Sequence, residues 1–106
     1  MTVTTIKTLP EFKDFVSNNP TVIIDCVAER CGPGKFISPR YHAMAEDPAN
    51  APVKFIQIDD DANPSLTGYL KITAMPPFIA FSHGGEAQRF SGASAEKIQA
   101  MIASLK

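Results

Sequence analysis

Residues 21–27, TVIIDCV, are apolar or β-branched at every position except Asp25, and they run into RCGPGK at residues 30–35. A strand with one wet face alternates apolar and polar residues, whereas consecutive apolar positions mark a strand covered on both faces. VKFIQI, residues 53–58, reads as another buried strand. Strands of this kind need helices on both sides, and the chain supplies them between its strands.

VTTI (3–6) reads as a short β-branched strand. TLPE then forms a capping box, with Thr8 accepting from the backbone of Glu11 while Glu11 reaches back. The following helix carries Leu9, Phe12, Phe15 and Val16 on one stripe and stops before Asn18-Asn19-Pro20. A second helix starts near Cys31 with Ile37, Tyr41 and Met44 on its apolar side and Pro39 as a kink. Asn63-Pro64 marks a third helix start. FIAFS (78–82), a Gly84-Gly85 turn and EAQRFS (86–91) read as a hairpin. A last helix, 94–105, is capped by Ser94 and buries Ile98, Met101, Ile102 and Leu105. The order β-α-β-α-β-α-β-β-α predicts an α/β fold in which a central mixed β-sheet is sandwiched by helices on both faces.

A chain of 106 residues is expected to form a single domain over 1–106. A formal net charge of −1 gives no electrostatic case for nucleic acid or an anionic membrane. MTVTTIKTLP lacks the apolar run of a signal peptide, and no segment has the length of a membrane span, so the expected location is cytoplasmic.

The two cysteines make no disulfide framework. Cys26 lies in a strand and Cys31 in the turn after it, which separates their Cα atoms beyond the roughly 7 Å a disulfide tolerates. Cys26 therefore reads as a small core hydrophobe. Two cysteines without a histidine cluster make a poor zinc site, and no metal or other cofactor is expected. Asp59-Asp60-Asp61 lacks calcium-loop spacing and reads as a solvated strand end before a helix. His42, on the polar side of the second helix, and His83, in the hairpin turn, are not placed to serve Cys31, which argues against a cysteine–histidine hydrolase.

VIIDCVAERCGPGKFISP resembles the active-site segment of thioredoxins, VxVDFWAxWCGPCKxxxP. FIQIDDDANP is similar to the family's FxKVDVDENP, ITAMPPFIAFSHGGE to its IxAMPTFxFFKNGE, and FSGAS falls where the family has a glycine before its last helix. The resemblance covers essentially the whole chain, is nearest in wording to fungal-type thioredoxins, and implies the thioredoxin fold. It assigns the nucleophile of thiol–disulfide exchange to Cys31 and a thiolate-stabilising environment to Arg30, Gly32, Pro33, Gly34 and Lys35. It makes Asp25 the family's buried carboxylate, and makes Pro76 the cis-proline preceded by Met75, whose backbone pairs with substrate.

The departures bear on function. Gly34 replaces the second cysteine, Cys26 the phenylalanine, Val27 and Arg30 both tryptophans, Gln57 the lysine and Pro77 the threonine after the cis-proline. Dithiol exchange needs one sulfur to attack a disulfide and a second to release the product. With Gly34 the first step stays available and the internal release is lost. Helix-start N–H groups, Arg30 and Lys35 should depress the Cys31 pKa, by less than in a dithiol site. Burial should raise that of Asp25, whose client thiol is absent and whose role is expected to be vestigial. Gln57 can hydrogen-bond this carboxylate but not neutralise it. Glycine at 34 either admits glutathione beside the sulfur or marks an eroded site.

The expected function is thus monothiol exchange, forming mixed disulfides with disulfide-containing proteins or glutathione that an external thiol resolves, with weak or no dithiol reductase turnover. A redox-inactive binding module using the groove between CGPG and the cis-proline is the alternative. A Cys31-linked homodimer, bridged directly or by an iron–sulfur cluster, is a third reading, carried by analogy alone.

Overall fold

The computed structural model describes residues 3–27, 32–59, 64–72 and 77–106, with backbone alone at residues 27 and 32–36. Its strands are β1 (Val3–Thr5), β2 (Thr21–Val27), β3 (Lys54–Asp59), β4 (Pro77–Ser82) and β5 (Gly85–Ser91). Its α-helices are α1 (Leu9–Asn18), α2 (Gly32–Glu46), α3 (Pro64–Tyr69) and α4 (Ala95–Leu105). The sheet order is β1-β3-β2-β4-β5. β1, β3 and β2 are parallel, and β4 and β5 are added antiparallel. This is the expected mixed sheet, with β2 at its centre.

The pleat of β2 sorts two cores. Val22, Ile24 and Cys26 pack with Phe12 and Val16 of α1 and Leu66 of α3. Ile23 faces the other way, with Ile37, Tyr41 and Met44 of α2 and Ile98, Met101 and Ile102 of α4. Both layers are dry: Val22, Ile23, Ile24 and Cys26 are fully buried. Cys26 thus occupies the core position expected of it. Leu9, Phe15 and Leu105 line the margins, partly buried.

The local signals resolve with small differences. Thr8 Oγ1 accepts from Glu11 N at 3.2 Å and caps α1. Glu11 reaches one residue beyond the cap, taking the Lys7 N–H at 3.3 Å and the Thr8 hydroxyl at 3.2 Å. α1 runs through Asn18, and the side chains of Ser17, Asn18 and Asn19 turn back to donate to the carbonyls of Lys13, Asp14 and Phe15. Of these carbonyls, that of Phe15 is among the last four of α1, which the helix itself leaves open.

The hairpin turn is His83-Gly84, with φ of 52° and 86°, and Gly85 already belongs to β5 opposite Ser82. Two residues of positive φ suit a two-residue loop that follows the strand twist, and glycine takes one of them without strain. The expected Gly84-Gly85 turn is therefore displaced by one residue. A register shift then leaves Ala87 as an extra residue, since Phe81 faces Glu86 and Ala80 faces Gln88. A short 3-10 turn at Pro48–Asn50, capped by Asp47, was not expected.

Candidate functional site

Two chain segments come to one end of the sheet. β2 finishes at Val27 and α2 starts at Gly32, so residues 28–31 bridge them. β4 begins at Pro77 and pairs antiparallel with β2, with Asp25 opposite Phe78. The start of β4 therefore lies beside the end of β2. Gly32, Pro33, Gly34 and Lys35 make the first turn of α2. Arg30, Cys31, Met75 and Pro76 lie outside the described residues, as do the side chains of Pro33 and Lys35.

Asp25 sits two residues before this strand end, on the α2 face, and is fully buried. Gln57, beside it on β3, donates from Nε2 to Asp25 Oδ2 at 3.3 Å. The same nitrogen donates to Ser38 Oγ on α2 at 3.2 Å. Both amide hydrogens are used, so Gln57 ties β2, β3 and α2 together. Among the described residues, Asp25 Oδ1 has no hydrogen-bond partner. Burial pushes the Asp25 pKa from 3.8 up to about 7, against the opposing pull of the Gln57 hydrogen bond. At neutral pH the group is divided between acid and carboxylate. An amide that donates without carrying charge is the reason the shift survives.

Tyr41, one α-helical turn past Ile37, is fully buried with its hydroxyl 2.9 Å from Ile23 O and 2.7 Å from Ile56 O. Its pKa is pushed well up, by burial first and then by the nearby Asp25 charge, while the Ile56 carbonyl opposes the rise. Sequence reasoning saw Tyr41 only as a stripe member and passed over Ser38. The available signal was the rule that a buried tyrosine hydroxyl needs a partner. His42 is half-buried, its ring edge-on to Tyr41, and His83 occupies the exposed hairpin turn. No cluster of metal-ligating side chains occurs among the described residues.

The sheet order, the helix that starts beyond β2 and the buried acid under that helix define a thioredoxin-fold protein. The thioredoxin family model matches residues 3–104. The thioredoxin of Malassezia sympodialis is 33% identical over 100 residues, covering 94% of this chain and 95% of the relative. Its crystal structure superposes with a TM-score of 0.92 at 31% identity, covering 99% of this chain and 94% of that one. Thioredoxin H2 of Arabidopsis thaliana is 33% identical over 95 residues, covering 90% of this chain and 70% of the relative. The chain belongs to the thioredoxin family. No helix among the described residues is long and apolar enough to cross a membrane.

Proposed function

We propose that this chain exchanges thiols with disulfides through Cys31 alone, on disulfide-containing proteins or glutathione, in the cytoplasm. The observation that carries the reading is the start of α2 at Gly32, directly after Cys31 in the chain, with Gly34 in its first turn. Open N–H groups and the helix dipole at such a start favour a thiolate, and Arg30 and Lys35 add positive charge in the adjoining sequence. The Cys31 thiolate attacks one sulfur of a disulfide, a Cys31–substrate bond forms, and the other sulfur leaves as a thiolate. Nothing at position 34 carries out the second attack, so an external thiolate such as glutathione must. Met75 and Pro76 supply the substrate-pairing backbone, and Asp25 is a retained carboxylate without a second thiol to serve.

Insulin reduction coupled to thioredoxin reductase and NADPH tests this. Expected is little or no turnover by the natural sequence, stoichiometric mixed-disulfide formation that Cys31→Ser abolishes, and reductase-coupled turnover on Gly34→Cys. Brisk turnover by the natural sequence without added small thiol overturns the reading. If Cys31 fails to form any mixed disulfide, the chain is a redox-silent binding module. Recovery of a Cys31-linked dimer as the main oxidised species would point to self-coupling.

A further inference from the structure

The strands around Asp25 are pinned on both sides. β2 is hydrogen-bonded between β3 and β4, and β3 between β1 and β2. On the same face of the sheet, the helix tied to Asp25 is α2, and it is held there by two polar contacts. Gln57 bridges Asp25 to Ser38 Oγ, and the Tyr41 hydroxyl meets the carbonyls of Ile23 and Ile56. Pro39 falls between these anchors. It has no N–H to give the carbonyl four residues back, and Gly34 adds a poor helix former to the first turn. The half of α2 before Pro39, residues 32–38, is therefore the part of the surroundings most cheaply displaced.

A neutral acid costs little in this interior and an ionised one a great deal, because a buried carboxylate needs a charged partner or a full set of hydrogen bonds. Asp25 has one donor, the uncharged Gln57, and among the described residues its Oδ1 has none. The groups around it come from three elements. β3 brings Gln57 and, at its exposed end, Asp59; β4 brings Phe78. α2 brings Ser38 and Tyr41, with the His42 ring edge-on to the tyrosine. Tyr41 has its pKa pushed well above the usual 10.0, so it stays neutral while Asp25 titrates. Gln57, Ser38 and Tyr41 thus offer the carboxylate no positive charge.

We propose that Asp25 is a proton-controlled latch on α2: the neutral acid keeps residues 32–38 on the sheet, and loss of its proton to solvent frees that half of the helix to swing about Pro39 and admit water. Water in the opened state returns Asp25 toward its ordinary 3.8, whereas burial holds it at about 7. Between those values opening releases a proton, so it grows as pH rises and levels off above about 7. The latch is independent of the chemistry proposed at Cys31.

Native-state hydrogen exchange read by NMR tests this in the natural sequence, Asp25→Asn, His42→Gln and Pro39→Ala, with the intrinsic exchange rate at each pH divided out. The reporters are the amides of Ile37, Ser38, Arg40 and Tyr41, whose helical acceptors four residues back fall within residues 32–38. From pH 4.5 to 7.5 their opening constants should rise by about a hundredfold, with little dependence on urea because a local opening exposes little surface. Amides of α4 that exchange through local openings should change by less than about twofold. Asp25→Asn should flatten the rise and His42→Gln should keep it. Pro39→Ala should lower opening by about tenfold at every pH with the same slope. The latch is overturned if the α2 amides open equally at both ends of the pH range. It is also overturned if they exchange only with the steep urea dependence of β2 and β3, which is unfolding of the whole chain. Survival of the rise in Asp25→Asn, its loss in His42→Gln, or unchanged opening in Pro39→Ala would overturn it as well.

Discussion

Asp25 makes a prediction about stability whose sign follows from its burial. Replacing it by asparagine keeps the shape and removes the titration. Burial raises its pKa from 3.8 to about 7 in the folded chain, while the unfolded chain returns it to solvent. Between those values the folded state binds more protons than the unfolded state, so stability falls as pH rises. Above the folded pKa the loss is complete. At about 1.4 kcal/mol per unit, the rise corresponds to about 4 kcal/mol. At pH 3.5 aspartic acid is mostly neutral in both states, and the natural and Asp25→Asn chains should differ only by the new amide at the unpartnered oxygen. By pH 8.5 the asparagine variant should have gained about 4 kcal/mol relative to the natural chain. Urea unfolding at half-unit steps of pH, with both chains in the same buffers, gives the difference curve directly. Every other carboxylate cancels in it. The reasoning fails if that curve is flat from pH 4 to 8.5, or if it bends the other way. Either outcome would mean that Asp25 is solvated or paired with a cation in the folded chain.

Gln57→Lys should move the same transition. An ammonium beside the carboxylate lowers the Asp25 pKa by about 1–3 units, so the fall in stability should shift to lower pH and shrink; an NMR titration of the Asp25 side-chain carboxyl carbon reads it. Tyr41→Phe deletes the hydroxyl that meets the Ile23 and Ile56 carbonyls in the core. It should cost about 1–3 kcal/mol of unfolding free energy in denaturant titrations, at every pH below the tyrosine's own titration.

The layers were legible because burial writes itself into neighbouring residues. TVIIDCV and VKFIQI announce strands covered on both sides, and Ile98, Met101 and Ile102 announce a helix face, without reference to anything distant. Caps were legible for the same reason: Thr8 and Ser94 each bond a backbone N–H three residues away. What escaped depends on residues far apart in the chain or on one-residue geometry. The hairpin turn moved to His83-Gly84 because strand twist, not composition, chooses the two positive-φ positions. The bulge at Ala87 is set by pairing between β4 and β5. Ser38 joins Gln57 from nineteen residues away, and Arg89 reaches Leu70 across the same separation. In the candidate site, Asp25 and Gln57 could be singled out because they interrupt apolar strands.

On the proposed exchange through Cys31 alone, the missing second sulfur also sets the direction of release. An external thiolate can attack either sulfur of a Cys31 mixed disulfide. Attack on Cys31 frees reduced substrate and leaves Cys31 capped by glutathione, so a second glutathione is needed. Attack on the substrate sulfur expels the Cys31 thiolate and leaves the substrate joined to glutathione. The sulfur with the lower pKa leaves faster, and on the proposed reading that sulfur is the one of Cys31. Released substrate should therefore carry glutathione, an adduct that mass spectrometry of a single-turnover reaction detects. Gly34→Cys should abolish the adduct, because an internal thiol at that position attacks Cys31 itself and returns the substrate as a plain thiol. A single-turnover product without glutathione from the natural sequence would mean that the leaving-group order is reversed, and that the helix start does not hold Cys31 as the better thiolate.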